Sequence, residues 1–128
     1  MKSTVEEAVK GLRVTFPSGE VFVQETPDGG AYVRVEPIEL GPKFRPERTW
    51  IAGHIPPQCP YADVYPLFIG GDVTRADGKP WVAPVTPCAN FMGRPALQIS
   101  RRTNRLDPNV QTVALKFQKV LHWLQHLA

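Results

Sequence analysis

The chain has 128 residues, 42% of them apolar and 21% charged, enough for one hydrophobic core and too few for two, so residues 1–128 read as a single domain. Its formal charge of +3, with both signs interspersed, is too mild for a purely electrostatic nucleic-acid binder. Cys59 and Cys88 form no C-x-x-C, which excludes a disulfide scaffold and a Cys-rich zinc site. No apolar run is long enough to cross a bilayer, and Met1-Lys2-Ser3-Thr4-Val5-Glu6-Glu7 has no signal-peptide pattern. The expectation is a soluble, cytoplasmic protein with no membrane attachment.

Fourteen prolines, about twice the usual share, lie between positions 17 and 108 and confine long helices to the two ends. At the N-terminal end, Ser3 or Thr4 is placed to cap a short helix through Glu6, Glu7 and Ala8, stopped by Gly11. Leu12-Arg13-Val14-Thr15-Phe16 then alternates like a strand and ends in the turn Pro17-Ser18-Gly19. Residues 20–25 (EVFVQE) and 31–35 (AYVRV) flank Thr26-Pro27-Asp28-Gly29-Gly30, a hairpin signal. Residues 49–55 read as a further strand. Residues 64–69 read as an edge strand, because Pro66 has no N–H to give a ladder. Residues 70–95 are rich in Gly, Pro and Asp and read as a long ordered loop, a feature often functional. The last helix is marked by Val110, Val113, Ala114, Phe117, Val120, Leu121, Leu124 and Leu127 on one face, with Gln111, Lys116, Lys119 and Gln125 on the other. Asp107 is the expected N-cap and Pro108 the first helical residue. The sum is an α+β domain: short helix, four-stranded antiparallel meander, long loop and packed C-terminal helix.

One stretch inside that order is Ile55-Pro56-Pro57-Gln58-Cys59-Pro60-Tyr61-Ala62-Asp63-Val64, continuing into Tyr65-Pro66-Leu67-Phe68. It resembles the proline-rich segment of the ubiquitin-conjugating (E2) fold at Pro56, Pro60, Tyr61 and Phe68. Cys59 stands where such proteins carry a tyrosine, and Asp63-Val64 where they carry two prolines. Further along come Asp77-Gly78-Lys79-Pro80, Phe91-Met92-Gly93-Arg94, Ser100-Arg101 and Asp107-Pro108 before the amphipathic helix. In that order they look like the divergent bacterial family called prokaryotic E2 family E, over residues 12–124. The resemblance implies an E1-like activating protein and a ubiquitin-like protein as partners. It also implies acyl transfer within a conjugation pathway, and the company such genes keep extends the expectation to antiviral defence. The His-Pro-Asn signature of ordinary E2 enzymes is absent, and no cysteine stands at the expected distance before the last helix.

An acyl carrier needs an exposed nucleophile, donors for the developing oxyanion and a docking surface. Ser100 is the first candidate for an oxyester, with Arg101 beside it to stabilise the oxyanion and Arg102, Arg94 and Arg105 close in sequence. Asn90 or Asn104 is available in place of the missing asparagine, and His54 is the one imidazole outside the last helix. Cys88 is the second candidate, and Cys59 reads as core. The plain readings are a surface serine, a small buried loop cysteine and a solvated basic face; the same arginines also suit an acidic protein partner. His122 and His126 have i, i+4 ligand spacing but no third ligand, and the Gly70-Gly71-Asp72 turn lacks the lysine and helix of a phosphate loop. No metal, cofactor or nucleic acid is therefore implied. The rival function is a catalytically inactive E2-variant scaffold that only binds E1 or the ubiquitin-like protein. A third reading is an unrelated small α+β binding domain.

Overall fold

The computed structural model describes residues 1–103, 106–108 and 112–127. Its elements in chain order are α1 (Ser3–Thr15), β1 (Glu20–Glu25), β2 (Ala31–Glu39), β3 (Phe44–Arg45), β4 (Arg48–Ile55), β5 (Leu67–Gly70), β6 (Thr74–Arg75), β7 (Val85–Phe91), β8 (Arg94–Ile99) and α2 (Val113–Gln125). Six strands form an antiparallel sheet in the order β1-β2-β4-β5-β8-β7, and β3 pairs with β6 in a separate small ladder. The expected α+β class is present, but the sheet has six strands where a four-stranded meander was expected, because the β7–β8 hairpin extends the run β1-β2-β4-β5.

Both helices lie on one face of that sheet. Val5, Val9 and Leu12 of α1 and Phe117, Val120 and Leu124 of α2 share a core with Val33, Val35, Ile51, Ile69, Leu97 and Ile99. These positions repeat at helical spacing in the helices and at every second residue in the strands, so each element buries one side. The opposite face has its own small cluster of Trp50, Ala52, Phe91 and Ala96. Phe91 on the last strand of the order lies 5.8 Å from Tyr32 on the second, ring centre to ring centre. A flat sheet would hold those strands about 19 Å apart at the usual spacing, so the hairpin end coils back over the sheet. Phe91 also meets Phe68 at 5.1 Å and Trp50 at 6.1 Å.

Several expectations are corrected. Residues 12–15 continue α1 rather than forming a strand. A helical interior glycine costs about 1 kcal/mol, and burial of Leu12 at 0% exposure outweighs it at about 2 kcal/mol. Neither Ser3 nor Thr4 caps that helix: the N-cap is Lys2, which makes no side-chain capping bond. The last helix begins at Val113 rather than Pro108. Its cap is Thr112, whose hydroxyl accepts a hydrogen bond from the Leu115 N–H at 3.0 Å. Val110 and Gln111 lie outside the described residues.

The remaining corrections concern the proline-rich middle. β5 is an interior strand between β4 and β8; it starts at Leu67, so Pro66 stands before the ladder and breaks nothing. The expected loop over residues 70–95 holds β6, β7 and the start of β8. Pro87 is tolerated because β7 is an edge strand and the residue falls in an irregularity between Thr86 and Ala89. The hairpin closes through Met92 and Gly93, both at positive φ (50° and 85°), the signature of a two-residue type I′ turn.

Candidate functional site

Ser100 follows β8 directly. Its backbone N–H donates to the Pro84 carbonyl at 2.9 Å, and its side chain is half-buried. The Gln98 side-chain amide donates to the Ser100 hydroxyl at 3.2 Å. A neutral amide donor withdraws electron density from that oxygen and cannot take its proton, so this contact does not activate it as a nucleophile. His54 lies two residues beyond Ala52 on β4, and Ser100 two beyond Gln98 on β8. Ala52 and Gln98 both pair with Phe68. Continuing that register sets the Ser100 backbone two strand spacings, about 10 Å, from that of the imidazole-bearing His54. Its ring packs on Tyr32, at 4.9 Å.

The arginines are spread across the molecule. Arg101 lays its guanidinium over the Trp123 ring at 4.6 Å, and Arg102 over Tyr65 at 4.0 Å. Arg94, at the far end of β8, lies over Trp50 at 5.1 Å and donates to Glu36 at 3.1 Å. The hydrogen bond from Arg94 is the main reason the Glu36 carboxyl titrates below the usual range; the charge of Arg94 and a second donor, Arg34, add to it. Arg105 and Asn104 lie outside the described residues. Asn90 serves the hairpin turn, since its side-chain oxygen accepts from the Gly93 N–H at 2.9 Å and braces the chain reversal.

The two cysteines differ sharply. Cys59 is buried, as expected for a core position, and burial pushes its thiol up. Cys88 is exposed, in contrast to the plain reading of a buried loop thiol. It lies in the β7 irregularity with φ at +60°, a left-handed conformation that costs a side-chain-bearing residue about 1–2 kcal/mol. The bulge turns this residue out of the strand's ordinary alternation and presents its sulfur on an edge.

A polar cluster beside α2 is absent from the sequence-based expectations, which put Lys116 on the solvent side of the last helix. Lys116 is 6% exposed. Its ammonium donates to Asp63 Oδ2 at 3.0 Å, the Arg101 carbonyl at 2.6 Å and the Thr103 hydroxyl at 3.2 Å. Asp63 also accepts the Thr103 N–H at 2.8 Å. The cluster ties three separate segments together: the proline-rich connection, the irregular segment after β8 and α2. Position 116 falls inside the apolar arc traced by Val113, Phe117 and Val120, and that phase is the signal for its burial. Among the described residues no three His, Cys, Asp or Glu side chains gather as a metal site, and His122 and His126 stand as a pair with ring centres 4.1 Å apart.

No described helix is long and apolar enough to cross a membrane. Comparison of the chain with protein-family models, curated proteins and solved structures finds no match.

Proposed function

We propose that the chain is a non-standard E2-like carrier that accepts the C-terminal carboxyl of a ubiquitin-like protein from an E1-like partner. The observation that carries the reading is the layer order. A helix, a meander β1-β2-β4-β5 and a closing helix follow one another, with both helices on one sheet face, as the motif resemblance implies. The β7–β8 hairpin is an addition to that order, and the reading takes it as the part that presents the nucleophile.

Within this reading Cys88 is preferred to Ser100. Its thiol is exposed at a bulge, and sulfur attacks carbonyl carbon without a partner base more readily than a hydroxyl does. The Cys88 sulfur attacks the carbonyl carbon of the thioester on the E1-like partner. The partner's thiolate leaves and takes up the proton that the Cys88 thiol gives up, so one thioester replaces another. Attack by an acceptor amine then releases the Cys88 thiol.

A second reading, the inactive scaffold that binds E1 or the ubiquitin-like protein, is favoured by the contacts of Ser100 and the arginines. Gln98 holds the hydroxyl, and the guanidiniums of Arg101 and Arg102 lie over aromatic rings. Incubation with an E1-like protein, a ubiquitin-like protein and ATP separates these possibilities. The expected result is an adduct cleaved by thiol reductant and absent in Cys88→Ser. An adduct that resists reductant, yields to hydroxide and is lost in Ser100→Ala moves the role to the serine. A stable complex without any adduct selects the scaffold, and neither adduct nor complex removes the E2-like reading.

A further inference from the structure

The two edges of the six-stranded sheet are unlike. β7 is blunted by Pro87 and by its irregularity between Thr86 and Ala89, devices that keep an edge from pairing with another chain. β1, at the opposite edge, has neither. Its residues 20–25 (EVFVQE) contain no Pro, Gly or Lys and stay in unbroken register with β2. Alternate residues of β1 therefore turn their N–H and C=O groups outward, and among the described residues no group bonds to that outer row. Phe22 stands on this strand 41% exposed, with the Arg34 guanidinium 4.2 Å from its ring centre.

We infer that a second copy of this chain pairs with β1, antiparallel and across a two-fold axis at Phe22, so that the six strands of each copy join in one continuous sheet. Directly opposed residues of an antiparallel pair share a sheet face, and β1 is self-complementary in this register. Phe22 meets Phe22, Val21 meets Val23 and Glu20 meets Gln24, while Glu25 falls opposite Gly19. No carboxylate opposes a carboxylate. The neighbouring two-fold positions, at Val23 or Val21, set Glu25 against Val21 or Glu20 against Phe22, and so press a charge onto an apolar side chain.

α1 gives the same axis a second match, this one of charge. It packs on β1 and β2 and runs antiparallel to β1, since the chain reverses at residues 16–19 and the Met1 ammonium returns to Glu25 at 2.7 Å. Val5, Val9 and Leu12 are buried against the sheet, and Gly11 faces Ala114 of α2. Glu6 and Arg13, seven residues apart, share the other flank, beside the free edge, and both are exposed. Glu6 lies in the field of the Met1 ammonium, whose hydrogen bond goes to Glu25; neither Glu6 nor Arg13 is in an ion pair with a described side chain. The helix and the strand each span about 20 Å, so a two-fold through the strand brings Glu6 of each copy beside Arg13 of the other. That reciprocal pairing selects a second copy over a foreign strand. It needs neither Cys88 nor Ser100 and stands apart from the carrier reading.

Sedimentation velocity of the full chain, from micromolar to millimolar concentration, should show the 14.3 kDa monomer giving way to a species of twice that mass. Hydrogen exchange should slow at alternate residues of β1 over the same range. Phe22→Lys, which opposes two ammonium groups at the axis, should weaken the dimer at least about tenfold. Arg13→Glu and Glu6→Arg should each weaken self-association about tenfold. An equal mixture of those two variants should dimerise like the parent, because every Glu then meets an Arg. If Phe22→Lys proves unfolded in a thermal melt, the helix variants carry the comparison. Dimerisation through β1 is refuted if the chain stays monomeric throughout, which leaves the edge to a foreign strand. It is refuted equally if a folded Phe22→Lys associates like the parent, or if the mixture is no tighter than either variant alone.

Discussion

At the scale of single residues, Lys116 makes the sharpest energetic statement. An ammonium out of water is costly unless its donors are met, and this one meets Asp63, Thr103 and a carbonyl. Lys116→Met keeps most of the volume but leaves Asp63, itself only 17% exposed, without its cation. The expected loss is about 3 kcal/mol in urea denaturation, the lower end for breaking a buried pair. Lys116→Met with Asp63→Leu together should recover part of it, because the unpaired charge is then gone. A single variant as stable as the parent would show that the cluster contributes nothing net. Cys59 and Cys88 make a complementary point: one residue type becomes core filler or an exposed thiol, according to the backbone that carries it.

Among the elements, α1 shows tertiary burial overriding a local stop signal. The helix passes through Gly11, where an added Cβ would sit 4.0 Å from the Ala114 Cβ, ordinary van der Waals contact. Gly11→Ala therefore removes backbone freedom from the unfolded chain without a clash. It should stabilise the protein by about 0.5–1 kcal/mol, read as a higher urea midpoint at unchanged slope. A destabilised variant would mean that α1 and α2 need the bare glycine for their approach. The β7–β8 hairpin is an element of another kind. Its type I′ turn, braced by Asn90, aims Phe91 into the cluster around Tyr32, Trp50 and Phe68, while the bulge earlier in β7 holds Cys88 in the open.

On the scale of the whole molecule, Arg94 and Glu36 link the hairpin end to β2 across the coiled sheet, at 3.1 Å and 58 positions apart in sequence. The folded protein holds the Glu36 carboxyl below its ordinary value of 4.5. Stability from this contact is therefore fully present above about pH 4.5 and lost as pH falls through the lowered folded value. Partial exposure of both side chains keeps the contribution small. Arg94→Met preserves packing on Trp50 and removes the charge. The difference in Tm between parent and variant should be largest near neutrality and shrink below about pH 4.5. A difference constant across that range would show that the pair does not couple the hairpin to the sheet.

Much of this protein was legible in the sequence. The limits of β1, the first hairpin, β4, the apolar stripe of the last helix and the burial of Cys59 all follow from local rules: alternation, turn chemistry and helical phase depend on neighbours a few residues away. The candidate residues Ser100, Cys88 and Arg101 were legible too, but only as types capable of the chemistry. Their surroundings were decided by contacts between distant segments. The Gln98 amide on Ser100, the Trp123 ring under Arg101, the exposure of Cys88 and the burial of Lys116 depend on strand order, a bulge and the seating of α2. A sequence lists which groups are available, whereas orientation and solvent access are set by long-range packing, and those two quantities determine what a hydroxyl, a thiol or a guanidinium can do.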